Sequence, residues 1–241
     1  MEPVGEHPVP AGPLAVRWLG YELEPPQAGA LTHARVSLEN AGTAPWHGLN
    51  LSYHWLDGRG NPIVWDGLRH QVSAEPGERV EQKVLVRGPI PPGPYRLALD
   101  LVDEQRFWLA ELGNFTPEVD VEVAPRDATA ARAFLPPRAE LDPDWEERVY
   151  VAHTEGYAAV GGSVEWISGP LRRSPEELEP YAPGGGRNPA FAHPLVCPSL
   201  IPPLEPNAEL AGLPAWQPEG DEPWIYDARI RLLLRSGRPR G

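Results

Sequence analysis

One cysteine, one methionine and four phenylalanines stand in 241 residues. The lone thiol, Cys197, excludes an internal disulfide and any metal centre built on several cysteines. No apolar run approaches the ~20 residues of a membrane span, so no membrane insertion is expected. The opening MEPVGEHPVPAG lacks the basic and apolar regions of a signal peptide. A cytoplasmic protein is the expectation. Positive charge is also short: 21 Lys and Arg against 34 Asp and Glu leave a net charge of −13. Phosphate backbones and anionic lipid surfaces need a basic field, so nucleic acid is not an expected partner.

What the chain does have is tryptophan, nine in all, and 41% hydrophobic residues, too much for a disordered polymer. It also has 32 prolines and 24 glycines, which predict a folded chain with much turn and loop. The stretch 40–70, NAGTAPWHGLNLSYHWLDGRGNPIVWDGLRH, organises the first half. Leu49, Leu51, Tyr53 and Trp55 alternate with Asn50, Ser52 and His54, the period of a strand with one buried face. Asp57 to Asn61 turns the chain, and Ile63-Val64-Trp65 returns as a second strand.

Around this hairpin the same period recurs. Leu14, Val16 and Trp18 share one face, and the parity switch at Gly20 predicts a bulge. Ala34, Val36 and Leu38 form the next strand, and Val80, Val84 and Val86 another. Tyr95, Leu97, Leu99 and Leu101 give the cleanest alternation, followed by a short strand at Phe107 to Leu109 and a last one at Val119, Val121 and Val123. Seven or eight short strands with regular turns predict a mainly β chain, an antiparallel β-sandwich of immunoglobulin type. Trp55 falls where such sandwiches bury a tryptophan. Tyr95 falls where a tyrosine corner would sit, and Leu97 where antibody domains carry a disulfide cysteine. Aliphatic packing must therefore replace the bridge.

The ordered motifs ENAGTAPW, LSYHWLDGRG, VWDGLRH, PGERVEQKVLV, PPGPYRLALDLVDE and RFWLAELGN carry a family resemblance. Across residues 14–124 the chain resembles the bacterial immunoglobulin-like module appended to glycosyltransferases and methyltransferases of surface-polysaccharide clusters. The resemblance implies an accessory, non-catalytic sandwich with no catalytic residues to carry over.

Beyond it the organisation changes. Residues 1–13 read as a flexible tail and 125–141 as a linker. Residues 142–241 read as a smaller, loop-rich α+β region. Asp142-Pro143 marks a helix start, Trp145, Val149 and Ala152 its apolar spacing, and Gly156 its stop. Tyr157 to Ile167, with Gly161-Gly162 as its turn, reads as a hairpin, and Ser174-Pro175-Glu176-Glu177 opens a short helix. Prolines crowd the loop 183–223, and Trp224 to Leu234 alternates as a two-faced strand expected to pair with the hairpin or, failing that, with an edge of the sandwich. The stretch HTEGYAAVGGSVE at 153–165 resembles part of family-2 glycosyltransferases, but the nucleotide-binding half of such an enzyme has no counterpart.

Several constellations invite a chemical reading. Asp142-Pro143-Asp144 has the Asp-x-Asp form of metal–sugar-nucleotide sites, yet it opens a helix, where capping explains it. His153-Thr154-Glu155 has the His-x-Glu of zinc deaminases without the Pro-Cys-x-x-Cys partner. His193 and Cys197 make at most half a metal site. Gly184, Gly185, Gly186, Arg187 and Asn188 could offer amides and a guanidinium to an anion, but without the Gly-Lys-Ser/Thr of a P-loop or a strong preceding strand a plain turn is the favoured reading. Trp65, Asp66 and Arg69, with Trp108, could present an aromatic face and a polar pair to a sugar ring. The competing reading is a core tryptophan beside an Asp66–Arg69 pair that ties a turn.

No catalytic residue, metal or cofactor is assigned. The expectation is a non-enzymatic accessory protein of surface-polysaccharide biosynthesis, its partner a glycosyltransferase or other biosynthetic protein, or a glycan. The alternatives are a degenerate glycosyltransferase-like enzyme and a self-associating sandwich using its strand edges.

Overall fold

The computed structural model describes residues 1–128, 139–141, 143–168, 171–172, 194–196 and 223–235. The chain divides into two compact units, Met1–Pro125 and Arg126–Gly241.

The first unit is a sandwich of two antiparallel sheets. One sheet has four strands: β1 (Glu2–Pro3), β2 (Val16–Leu23), β3 (Leu31–Asn40) and, later in the chain, β7 (Arg79–Arg87). The second is built on β4 (Trp46–Leu56). It is flanked by β5 (Pro62–Val64) and β6 (His70–Ala74) on one side and β8 (Gly93–Asp103) on the other, with β9 (Phe107–Trp108) and β10 (Glu118–Val123) paired to β8. The alternation fixes which side chains meet. Leu51 faces Leu101, Tyr53 faces Leu99 and Trp55 faces Leu97 across the β4–β8 ladder, and all six are buried. Trp18, Trp46 and Trp55 are the largest side chains sealed between the sheets.

Several polar atoms of the core find partners across the sandwich. The Trp55 indole donates to Arg87 O at 2.8 Å, and the Trp18 indole to Phe115 O at 2.8 Å. The Arg87 N–H donates to the Tyr53 hydroxyl at 2.8 Å, and the Leu85 N–H to His70 Nε2 at 2.9 Å. Both last bonds tie β7 to the opposite sheet. Burial raises the Tyr53 pKa, outweighing the bond from Arg87. The Tyr95 hydroxyl donates to Pro91 O, four residues upstream, at 2.7 Å, which is the bond of a tyrosine corner. The bulge expected at Gly20 is present as a register shift between Trp18 and Gly20.

Two expectations for this unit change. Residues 1–13 are not a free tail: β1 pairs with β2, the Val4 amide donates to Leu19 O, and the Trp18 amide donates to His7 Nε2. The His7 ring stacks on Phe115 with centroids 4.6 Å apart. Proline-rich composition hides this, because the segment is held by amides and carbonyls of β2 rather than by a hydrophobic period. The polar face of β4 is also covered, for Ser52 and His54 are as buried as their apolar neighbours.

In the second unit the helix α1 runs Trp145–Glu155, with Asp144 rather than Asp142 at its N-cap. The Asp144 carboxylate reaches Arg148 at 2.6 Å, an i,i+4 pair, and makes no side-chain cap bond. Gly156, at φ 125°, ends the helix as expected. The strands are β11 (Ala139–Leu141), β12 (Ala159–Ser168), β13 (Leu171–Arg172), β14 (Pro194–Val196) and β15 (Trp224–Arg235). The expected hairpin is thus one continuous strand, β12. Its Gly161-Gly162 pair lies inside the strand, and the register against β15 shifts between Gly162 and Ser163. Glycine in a strand relaxes the backbone enough for a bulge as readily as for a turn. β15 does pair with this stretch, but in parallel, and β11, inside the expected linker, joins its other side. The helix expected after Ser174 and nearly all of the loop 183–223 lie outside the described residues.

Candidate binding site

Among the described residues, the outer face of the β4–β8 pair is where sequence-singled residues converge. Directly across the ladder, Ser52 faces Asp100 and His54 faces Ala98, and all four are buried. Their cover is the loop 65–69. Gly67 makes this possible: its amide donates to Tyr53 O at 3.0 Å, and a Cβ there would lie 2.5 Å from that oxygen. Only a residue without a side chain lets the loop lie so close against β4.

So placed, the loop sets Trp65 over His54. The rings stack with centroids 4.1 Å apart and planes 21° from parallel, and His54 Nδ1 hydrogen-bonds the Trp65 carbonyl. A carbonyl only accepts, so Nδ1 carries the proton. His54 Nε2 lies 4.0 Å from the buried Asp100 carboxylate, whose Oδ1 accepts the Leu101 amide at 2.7 Å. Trp108 meets His54 edge-on at 4.3 Å and Trp65 at 6.1 Å. One face of Trp65 is therefore supported, while the residue stays 50% exposed.

Arg69 locks the arrangement. Its guanidinium lies 4.8 Å over the Trp108 ring. Nη1 donates to Ser52 Oγ at 2.8 Å and Gly67 O at 2.7 Å; Nη2 donates to Asp66 at 2.7 Å, and Nε to Glu104 at 2.7 Å. Burial alone would lower the pKa of this guanidinium, but its bonds to Asp66 and Glu104 outweigh that and raise it. Arg69 is accordingly a positioning group, and the two carboxylates remain largely in solvent.

The structure thus brings Trp65, Asp66, Arg69 and Trp108 into one cluster. The Asp66–Arg69 pair ties the turn, and Trp65 is a surface residue rather than a core one. Gly185, Gly186, Arg187 and Asn188 lie outside the described residues, as do Asp142, His193 and Cys197. His153 sits buried at the end of α1, its Nδ1 bonded to Tyr157 O at 2.7 Å, and burial lowers its pKa. Among the described residues no three His, Cys, Asp or Glu side chains gather as a metal site.

His54, Ser52, Asp100 and Glu104 were missed by sequence reasoning. Their signal was available in part, since each occupies a polar position of a strand or its end. Which strands lie side by side decides that they meet. A separate cleft of about 440 Å³ lies between the N-terminal segment and β2, lined by Glu6, His7, Arg17 and Trp18 among others. Trp18 is buried there and offers no aromatic surface.

No protein-family model and no curated protein matches the chain. Distant likenesses appear among solved structures. The C-terminal domain of wzt is similar at 9% identity and a TM-score of 0.36, over 48% of this chain and 76% of that one. A CARDB domain from Pyrococcus furiosus is similar at 19% identity and a TM-score of 0.29, over 43% and 91%. A β-glucosidase from Listeria innocua is similar at 13% identity and a TM-score of 0.30, over 45% and 15%. Likenesses this remote say nothing of ligand or activity.

Proposed function

We propose that the sandwich is a non-catalytic glycan-binding module, and that the protein serves as an accessory factor in surface-polysaccharide biosynthesis. The observation that carries this reading is the half-exposed ring of Trp65, backed by His54, in a cluster where Arg69 also holds the exposed carboxylates of Asp66 and Glu104. A sugar ring has an apolar C–H face and a rim of hydroxyls. A fixed indole supplies the stacking surface for the first and carboxylates accept from the second. Because stacking on His54 and the bonds of Arg69 hold the cluster before any ligand arrives, little ordering entropy is lost on binding. The link to polysaccharide assembly rests on the motif resemblance across residues 14–124.

Binding to an immobilised glycan panel, followed by Trp65→Ala, tests the proposal. The expected result is binding by the native chain and at least about a tenfold loss in the variant, the ~1.4 kcal/mol expected of one good stacking contact. Native and variant chains that bind equally would refute it. A second reading, docking of a glycosyltransferase on the same face, has one observation in its favour. Ile63 is 47% exposed and precedes Trp65 by two residues, making an apolar pair that a protein could cover.

A further inference from the structure

Resting on that glycan-binding reading, we infer that the site takes sugar units lacking carboxylate, sulfate or phosphate groups. The argument is a count of donors and acceptors. Among the described residues Arg69 is the one arginine or lysine of the cluster, and a guanidinium has five N–H donors. Four are engaged, by Glu104, Ser52, Gly67 and Asp66. The Nδ1 proton of His54 is held by the Trp65 carbonyl.

Acceptors are in excess. Asp66 meets Arg69 through Oδ1, and its side chain is 70% exposed. Glu104 meets Arg69 through Oε1, with Asn50 at 3.4 Å on the same atom, and its side chain is 46% exposed. Each keeps a second carboxylate oxygen for a ligand hydroxyl. The surroundings deepen the imbalance. Arg106 is paired with Asp103 at 2.5 Å and leans on Phe107, and Arg96 is paired with Glu118 and Asp120. An anionic sugar on Trp65 would find carboxylates whose cations are already committed, within a chain of net charge −13. A hydroxyl donates to the same carboxylates.

The test compares soluble glucan and galactan with polyglucuronate and polygalacturonate, using the full chain at low ionic strength. The neutral polymers should bind at least about fivefold tighter, the ratio that ~1 kcal/mol of exposed like-charge contact produces. That ratio should shrink at 1 M salt, because exposed charges are screened. In an Asp66→Asn, Glu104→Gln double variant, verified as folded by circular dichroism, it should shrink at low salt as well. Polyuronate binding equal to or tighter than neutral binding would overturn the inference and leave the glycan reading standing. A preference untouched by the double variant would also overturn it. Failure of the native chain to bind any of the four polymers would remove the glycan reading, and this inference with it.

Discussion

Trp55 and Trp65 show how differently one residue type is used ten positions apart. Trp55 is fully buried, meets Tyr53 and Tyr95 edge-on at 6.4 and 6.2 Å, and spends its N–H on the opposite sheet. Trp55→Ala should cost about 3–5 kcal/mol in denaturant unfolding, whereas Trp65→Ala should cost about 1 kcal/mol, the stacking on His54. Equal costs would mean the two roles are misassigned. His70 supplies a residue-scale pH effect. Its Nε2 accepts the Leu85 N–H, so the neutral ring is the one that fits, and burial lowers its pKa below 6.5. Below 6.5 the unfolded chain binds a proton at this position that the folded chain resists. The stability from neutral His70 is therefore complete above pH 6.5 and declines as the pH falls through that value towards the folded pKa. Denaturation midpoints at pH 7.5 and 5 should converge in His70→Gln relative to the native chain. An unchanged gap would exclude His70 as the source.

At the scale of elements, the loop 65–69 decides whether the site exists. Its chain direction comes from the turn before it, where Asp57 Oδ1 accepts the Arg59 and Asn61 amides at 2.8 Å each. Its height above β4 comes from Gly67. Gly67→Ala should push the loop off β4 and separate Trp65 from His54. The overpacking should cost about 1–3 kcal/mol, alter the near-ultraviolet circular dichroism and abolish the glycan binding proposed for this site. A variant with native spectrum and binding would show that the loop can shift without consequence. The motif VWDGLRH showed that these residues are neighbours along the chain. It could not show Trp108 and Glu104, which arrive from β9 and the end of β8.

For the whole molecule, the first unit carries its own core, and its buried polar corners close within it. Asn40 bonds Ala44, Ala74 and Gly42, and Asn114 bonds Val16, Leu14 and Leu109. A chain of residues 1–125 should unfold cooperatively with the β-rich circular dichroism of the native protein and no dependence on reductant. A non-cooperative transition would contradict this. In the second unit β15 lies between β11 and β12, so removing residues 224–241 strips the strand that joins them. That truncation should expose apolar surface and aggregate in size-exclusion chromatography, while removal of 236–241 alone should not. A soluble, protease-resistant chain ending at 223 would show β15 to be dispensable.

Strand existence, facing and turn position were legible in the sequence because each depends on neighbours one to four residues apart. Leu49 to Trp55, the bulge at Gly20, the Tyr95 corner and the stop at Gly156 are all of this local kind. Partnership was not legible. Gly161-Gly162 has the same local chemistry in a turn as in a bulged strand, and the parallel alignment of β15 beside β12 settles which it becomes. Likewise the polar face of β4 reads as solvent-facing until the loop 65–69 lies across it, with Arg69 reaching Glu104 across 35 positions of sequence and Trp65 stacked on His54. Hydrophobic and polar periodicity states that a face must be covered or wet; only the fold, by bringing distant segments together, decides which.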